Sequence, residues 1–381
     1  MLIASVVFYL HFAGPTGFAI IFLLALFTYF AGLYLHNRRT QGAPTRRFEL
    51  VLCLMPAAGA LLYFRYTGFF TGLACKWFAL GTPPACAVAL QPALVPLGIS
   101  FFTFEFCHYL VDISHGAVPV RAPMHFGLFA LFYPRLASGP IVRFQQIVPQ
   151  LENLRRPDLV DVSQGLLRIS IGFTKKFFLA DPSAQLVSLS FQPANILAGT
   201  DVLWLAMLLY VRIYMDFGGY SDMAIGLARL WGIRLPENFN FPFLAANPAA
   251  FWHRWHISLS SWIRDYIYIP LGGSRCPAWR KSANLLLAMA ICGLWHGAAW
   301  NFVLWGILHG IALQIGHGAT ALRCAFAAHI PAPRWLRYAG NGATLALGWT
   351  LTQSFAALAW IPFFFSAEDS WRIVSHLRQL L

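Results

Sequence analysis

Hydrophobic positions run along this chain in long blocks, and polar residues mark where the blocks stop. Residues 16–35 (TGFAIIFLLALFTYFAGLYL) are uncharged and match the roughly 20 residues a helix needs to cross a bilayer. The run before them, MLIASVVFYLHFAG, is too short to span comfortably. Residues 49–66 predict a second span, ending near Arg65 and Tyr66. A break rich in Gly, Pro and Thr covers 81–84, and an apolar stretch from about 85 is divided by Pro92 and Pro96. Residues 125–142 are apolar but interrupted by Pro134, Arg135, Gly139 and Pro140. That pattern predicts a broken or re-entrant element, tolerated at membrane depth only where protein or a cavity surrounds it. Residues 145–161 read as interfacial, and 163–180 as a helix whose Lys175–Lys176 pair meets the headgroups. From 201 to 231 the chain is apolar around a polar knot of Asp216, Tyr220, Ser221 and Asp222, where Gly218–Gly219 predict an unwound or closely packed point. Residues 236–243 form a loop. Residues 251–273 mix aromatic and charged side chains, which suits an amphipathic helix at the interface or along a cavity. A last span covers 341–365, and SAEDSWRIVSHLRQLL closes the chain as an interfacial helix.

Segments of alternating polarity, the mark of a membrane barrel, do not occur. The fold class is therefore all-α: a polytopic integral membrane bundle, one domain over 1–381, with about nine to twelve membrane segments. Composition agrees, since 11% charged residues fall far below the roughly 25% of soluble domains. The net charge of +13 does not point to nucleic acid. Its basic residues gather in short connections, HNRRTQGAPTRR at 36–47 and RCPAWRK at 275–281, as cytoplasmic loops do. No aromatic–basic groove accompanies them. The seven cysteines lack a CxxC pair, and most read as small apolar fillers, without a disulfide framework or zinc site. The N-terminus has neither a basic n-region nor a cleavage site, so no removable signal peptide is expected.

Polar groups set into apolar runs are the candidates for chemistry, because an ionisable group in hydrocarbon is costly unless it has a partner or a wet cavity. The stretch 293–310, GLWHGAAWNFVLWGILHG, holds most of them. Helical spacing stacks His296 above Trp300 and puts Asn301, Trp305 and His309 in a second row. Glu105, His108 and Asp112 share another face, better read as a buried stripe tying helices together than as a catalytic set. His256 and His296 suit general-base work near neutral pH. One imidazole can take the proton of a hydroxyl attacking a thioester if donor and acceptor are held together. For His256, packing among Trp252, Trp255 and Trp262 stays open, as does a metal shared with His253, though no HExxH or Cys/His pattern supports a metal. GxSxG, Walker and Rossmann signatures do not occur. A rival of another class is a proton-coupled secondary transporter using Asp216, Asp222, Glu105 and the histidines as a proton relay. Such transporters often carry internal repeats, and none is found here.

Six blocks occur in a fixed order: PLGISFFTFE (96–105), FYPRLASGPIVRF (132–144), YMDFGGYSDMAIGLARLWGI (214–233), PENFNFPF (236–243), FWHRWHISLSSWIRDYIYIPLGGSR (251–275) and LWHGAAWNFVLWGILHG (294–310). Together they resemble the membrane-bound O-acyltransferase (MBOAT) family, in the bacterial polysaccharide branch that includes the membrane subunit of alginate O-acetylation. D-alanine transfer to teichoic acids is a more distant likeness and an alternative activity. The resemblance implies helices around a central tunnel, with His296 as the catalytic histidine and His256 as a second functional one. It also suggests Trp295, Trp300, Asn301, Arg254, Asp216 and Asn238 as substrate or tunnel residues. The implied donor is acetyl-CoA or an acyl-carrier thioester entering from the cytoplasm, with no tightly bound cofactor and no metal. The implied partners are membrane lipid, a periplasmic SGNH-type transferase and an exported polysaccharide acceptor, at the bacterial cytoplasmic (inner) membrane. The chain departs from the branch at its ends. It opens at what looks like the family's second transmembrane helix, its C-terminal portion is shorter, and WIPFFFS at 360–366 replaces the usual tryptophan–phenylalanine–phenylalanine–arginine run.

Overall fold

The apolar blocks fold as helices, and among the described residues there is no strand. The computed structural model describes residues 1–42, 46–78, 95–136, 138–196, 198–329 and 334–380. The expected break at 81–84, the stretch from 85 to 94 and part of the first basic loop lie outside them. Among the described residues, four helices are long and apolar enough to cross a membrane: Leu2–Thr40, Arg47–Cys75, Gly199–Leu230 and Trp300–Ala325. Proline and glycine cut several other apolar runs into shorter helices, such as Ile99–Ser114 and Pro123–Leu131.

The chain forms two compact units, Met1–Ile171 with Tyr220–Pro236, and Gly172–Gly219 with Glu237–Leu381. In the first unit, Leu2–Thr40 is kinked at Gly14 (φ 69°, ψ 171°), just before Pro15. A left-handed φ suits glycine, and the proline that follows has no N–H to give the helix. The core behind this helix is aromatic, with Tyr9, Phe102, Phe106, Tyr109, Phe129 and Phe132 fully buried. Leu23 and Phe30 of the same helix are exposed, as lipid-facing positions would be. Residues 125–142 are broken as expected, into Pro123–Leu131, a short 3₁₀ turn at Tyr133–Arg135 and extended chain. Arg135 is buried there, paired with Glu105 and donating to the Phe129 carbonyl. Gln145 Nε2 donates to Asp112 Oδ2 at 2.6 Å. The 105–112 face is thus a structural tie, in keeping with its spacing.

The polar knot at 216–222 is closely packed and not unwound, for Gly199–Leu230 is one continuous helix. In the second unit, a Cβ on Gly219 would sit 2.7 Å from the Gly172 carbonyl oxygen. In the first, a Cβ on Gly226 would sit 2.6 Å from the Gly165 carbonyl. Lys175 and Lys176 do not simply reach toward headgroups. Lys176 Nζ binds Asp181 and Asp216, both at 2.7 Å, and Lys175 lies over the Tyr214 ring. Nor do residues 251–273 form one amphipathic helix. They fold as Pro248–Trp252, a turn, Ile257–Ile263 and a π-helical turn Arg264–Tyr268, with Phe251, Trp252, Trp255 and Trp262 buried. The tail forms Arg334–Phe364 and Ala367–Ser375, the latter capped by the Ser366 hydroxyl, which accepts from the Asp369 N–H at 3.0 Å. Cys53, Cys107, Cys276, Cys292 and Cys324 are free thiols. Cys75 is disulfide-bonded, so it is not one of the apolar fillers.

Candidate functional site

The site is built on a helical hairpin in the second unit. Ala278–His296 ends at His296, residues 297–299 turn, and Trp300–His329 runs back beside it. Glycines set how closely the two helices pack. A Cβ on Gly293 would strike the Phe302 carbonyl, and one on Gly306 the Met289 carbonyl. Gly297 is extended (φ −168°, ψ 150°), and its hydrogen leaves room for the Phe302 ring. This turn overturns the expectation that His296 stacks above Trp300 on one helix. The helix stops between them, and Trp300 is 59% exposed. The second row holds in part, for the Trp305 and His309 rings meet at 4.7 Å.

His296 therefore sits at a helix end, half-buried, with Trp295 at 4.9 Å and Trp305 and Phe363 each at 5.2 Å between ring centroids. His256 comes to the same place from another element. Its ring lies 6.4 Å from His296, 5.9 Å from Trp295 and 4.5 Å from Phe217. It precedes Ile257–Ile263 with φ 41°, a left-handed backbone that a residue with a Cβ adopts at a cost. Asn238 holds this conformation. Its side-chain oxygen accepts from the Ser258 hydroxyl at 2.6 Å, and its backbone carbonyl accepts from the Ile257 N–H at 2.9 Å. The loop carrying Asn238 is fastened in turn by Gln353 Nε2, which donates to the Pro242 and Ala245 carbonyls at 3.1 and 2.9 Å.

The cluster is built of aromatic rings but contains unanswered polar atoms. Among the described residues, His256 Nε2, His309 Nε2 and the indole nitrogens of Trp252, Trp305 and Trp360 are buried without hydrogen-bond partners. Buried polar groups are almost always satisfied, and a cluster of exceptions suits a place that receives something. His256 lies outside the four long spans. Burial, and next the nearby His296, holds its imidazole well below the ordinary histidine value, so it stays neutral. A neutral ring can accept a proton or present one N–H, which are the two roles an acyl-transfer site needs. A cavity of about 280 Å³ runs beside Leu285, Met289 and Cys292 and is bordered by Trp252, with His253, Arg264 and His317 also in its wall. Trp252 in turn meets Trp305 at 5.8 Å and His309 at 5.2 Å.

Of the expected site residues, the structure brings His296, His256 and Trp295 together. Asn238 is buried and holds the turn that carries His256. Arg254 is taken up by the Asn240 carbonyl at 3.0 Å, and Asp216 by Lys176. Asn301 is half-buried at the start of the returning helix. Trp305 and His309, singled out by their spacing but given no role, and Phe217 and Phe363, not singled out at all, also pack into this cluster. The four-residue spacing of Trp305 and His309 is a usable signal, but nothing local marks Phe217 or Phe363. Among the described residues, no group of three or more His, Cys, Asp or Glu side chains is placed to hold a metal ion.

Residues 122–359 match the model of the MBOAT, membrane-bound O-acyltransferase family. Over 98% of its length the chain is 36% identical to a probable alginate O-acetylase AlgI of Pseudomonas aeruginosa, covering 68% of that protein. Over 90% it is 34% identical to the peptidoglycan O-acetyltransferase of Helicobacter pylori, covering 66% of it. A teichoic acid D-alanyltransferase of Bacillus subtilis is 31% identical over 57% of the chain and 58% of its own length. The chain thus spans about two thirds of the first two relatives.

Proposed function

The chain belongs to the membrane-bound O-acyltransferase family, and from that premise we propose that it moves an acyl group, acetyl first, from a cytoplasmic thioester toward a hydroxyl of an exported or cell-wall polysaccharide. The observation that carries this reading is the meeting of His256 and His296, ring centroids 6.4 Å apart, in a cluster that holds buried unpartnered nitrogens. His296 takes the proton of the acceptor hydroxyl as its oxygen attacks the thioester carbonyl. The carbon–sulfur bond breaks, and the thiol departs with that proton. His256, neutral, presents Nε2 to the carbonyl oxygen or to His296. Trp295, Trp305 and Phe363 keep water from the thioester, which would otherwise be hydrolysed.

Acetyl-CoA, or an acyl-carrier thioester, enters along the cavity beside Leu285–Cys292. The basic 275–281 loop and Arg264 attract its phosphates. The positive-inside bias puts that loop in the cytoplasm of a bacterial inner membrane. The acceptor lies on the other side, reached directly or through a periplasmic SGNH-type transferase. The likeness to teichoic acid D-alanyltransferases makes D-alanyl the alternative cargo. Membership of an acyltransferase family argues against a proton-relay transporter, and the carboxylates it would use are engaged in ion pairs. Glu105 is paired with Arg135, Asp222 with Arg168 and Asp216 with Lys176.

The test is made in cells. A strain lacking the gene is complemented with the wild-type chain or with His296→Ala, and ester-linked acetate on the exported polysaccharide is measured. Wild type restores the ester and the variant does not. Full acetylation with His296→Ala overturns the proposal, and D-alanine in place of acetate selects the alternative cargo.

A further inference from the structure

A second cavity, of about 220 Å³, is lined by Val187, Ser188, Phe191, Gln192, Arg212, Phe364 and Phe365. Arg212 is its charged member. It lies well inside the Gly199–Leu230 helix, one of the four long enough to span. A guanidinium at such a depth is rare, and by default it faces a cavity and marks a ligand path. It lies over the Phe364 ring, whose centroid is 4.6 Å from the guanidinium carbon. Among the described residues no carboxylate pairs with it. The nearest candidates are Asp216, one turn along the same helix, and Asp181. Both are held by Lys176 Nζ at 2.7 Å. A ring under the face of a guanidinium leaves its N–H edges open, and those edges fit the two oxygens of a carboxylate or phosphate.

The cavity's position points the same way. Phe364 and Phe365 in its wall follow Phe363 directly, and the Phe363 ring lies 5.2 Å from His296. The first cavity borders Leu285–Cys292 of Ala278–His296, whereas this one reaches His296 only through the Phe363–Phe364 ring contact at 5.5 Å. We propose that Arg212 forms the anion-binding site of this cavity, taking a carboxylate or phosphate by its paired oxygens. Naming the carrier of that anion as the acyl acceptor rests on the acyl-transfer reading; the anion site itself does not. Under that reading the acceptor is an acidic molecule, docked by its charge with a hydroxyl reaching toward His296. A lipid phosphate would offer the same pair of oxygens from the bilayer.

The test is equilibrium binding to the purified full chain in detergent, with labelled glucuronate, labelled inorganic phosphate and neutral glucose as probes. Wild type and His296→Ala should bind an anionic probe saturably, and glucose not at all. Arg212→Gln should weaken that binding about tenfold or more, the loss expected for a charge-assisted pair. Arg212→Lys should retain part of it, and a melting curve for each variant shows that it is folded. Stronger binding of glucuronate assigns the site to an acidic sugar, and stronger binding of phosphate to a lipid headgroup. Either supports the anion site. Equal affinity of wild type and a folded Arg212→Gln, or no saturable anion binding by wild type, overturns it. Because His296→Ala is a binding arm, failure of acyl transfer would leave the anion result intact.

Discussion

At the residue scale, His256 joins strain to function. Its left-handed backbone (φ 41°) is held by Asn238 while its ring faces His296. Side chain and backbone can be separated by substitution. His256→Gly and His256→Asn suit that φ, whereas His256→Val does not. All three should lower acyl transfer, by about 10²-fold or more if His256 shares the proton work. Only His256→Val should also lower the melting temperature in detergent clearly below that of His256→Gly. Equal melting of Val and Gly variants would mean the strain is absent. Both histidines are legible in the sequence, each an ionisable group among tryptophans. Their meeting is not, since it depends on a left-handed turn that no glycine announces. Arg212 escapes a reading of the sequence for the opposite reason, being one cation inside a long apolar run.

At the element scale, the hairpin of Ala278–His296 and Trp300–His329 decides where His296 points. Its helices touch backbone to backbone at Gly306, where a Cβ would strike the Met289 carbonyl. Gly306→Ala should therefore cost about 1–3 kcal/mol, the range for forced overpacking, and should lower transfer by moving Trp305 away from His296. Gly342→Ala, at a site with open space around it, should leave the melting temperature unchanged. The helices themselves are readable from their apolar runs. The stop at Gly297 is not, because alanine and tryptophan follow it and neither breaks a helix. Elsewhere, the Glu105–Arg135 pair ties a broken segment to Ile99–Ser114. Glu105→Gln alone should destabilise by about 3–5 kcal/mol by leaving a buried charge unanswered. Glu105→Gln with Arg135→Met should recover much of that loss in a thermal double-mutant cycle.

At the scale of the whole molecule, composition decides that the solvent is lipid, and the ordered blocks decide the family. What composition does not supply is the number of complete spans. Proline and glycine cut several apolar runs into helices shorter than a crossing, such as Pro123–Leu131. The function stands on one claim, that the meeting of His256 and His296 opens a thioester. The most direct measurement is single-turnover release of labelled acetyl from acetyl-CoA by the purified chain, with acceptor present, for wild type and His296→Ala. Release by wild type is predicted, with a rate at least about 10²-fold lower for the variant. Equal rates for the two proteins would contradict it.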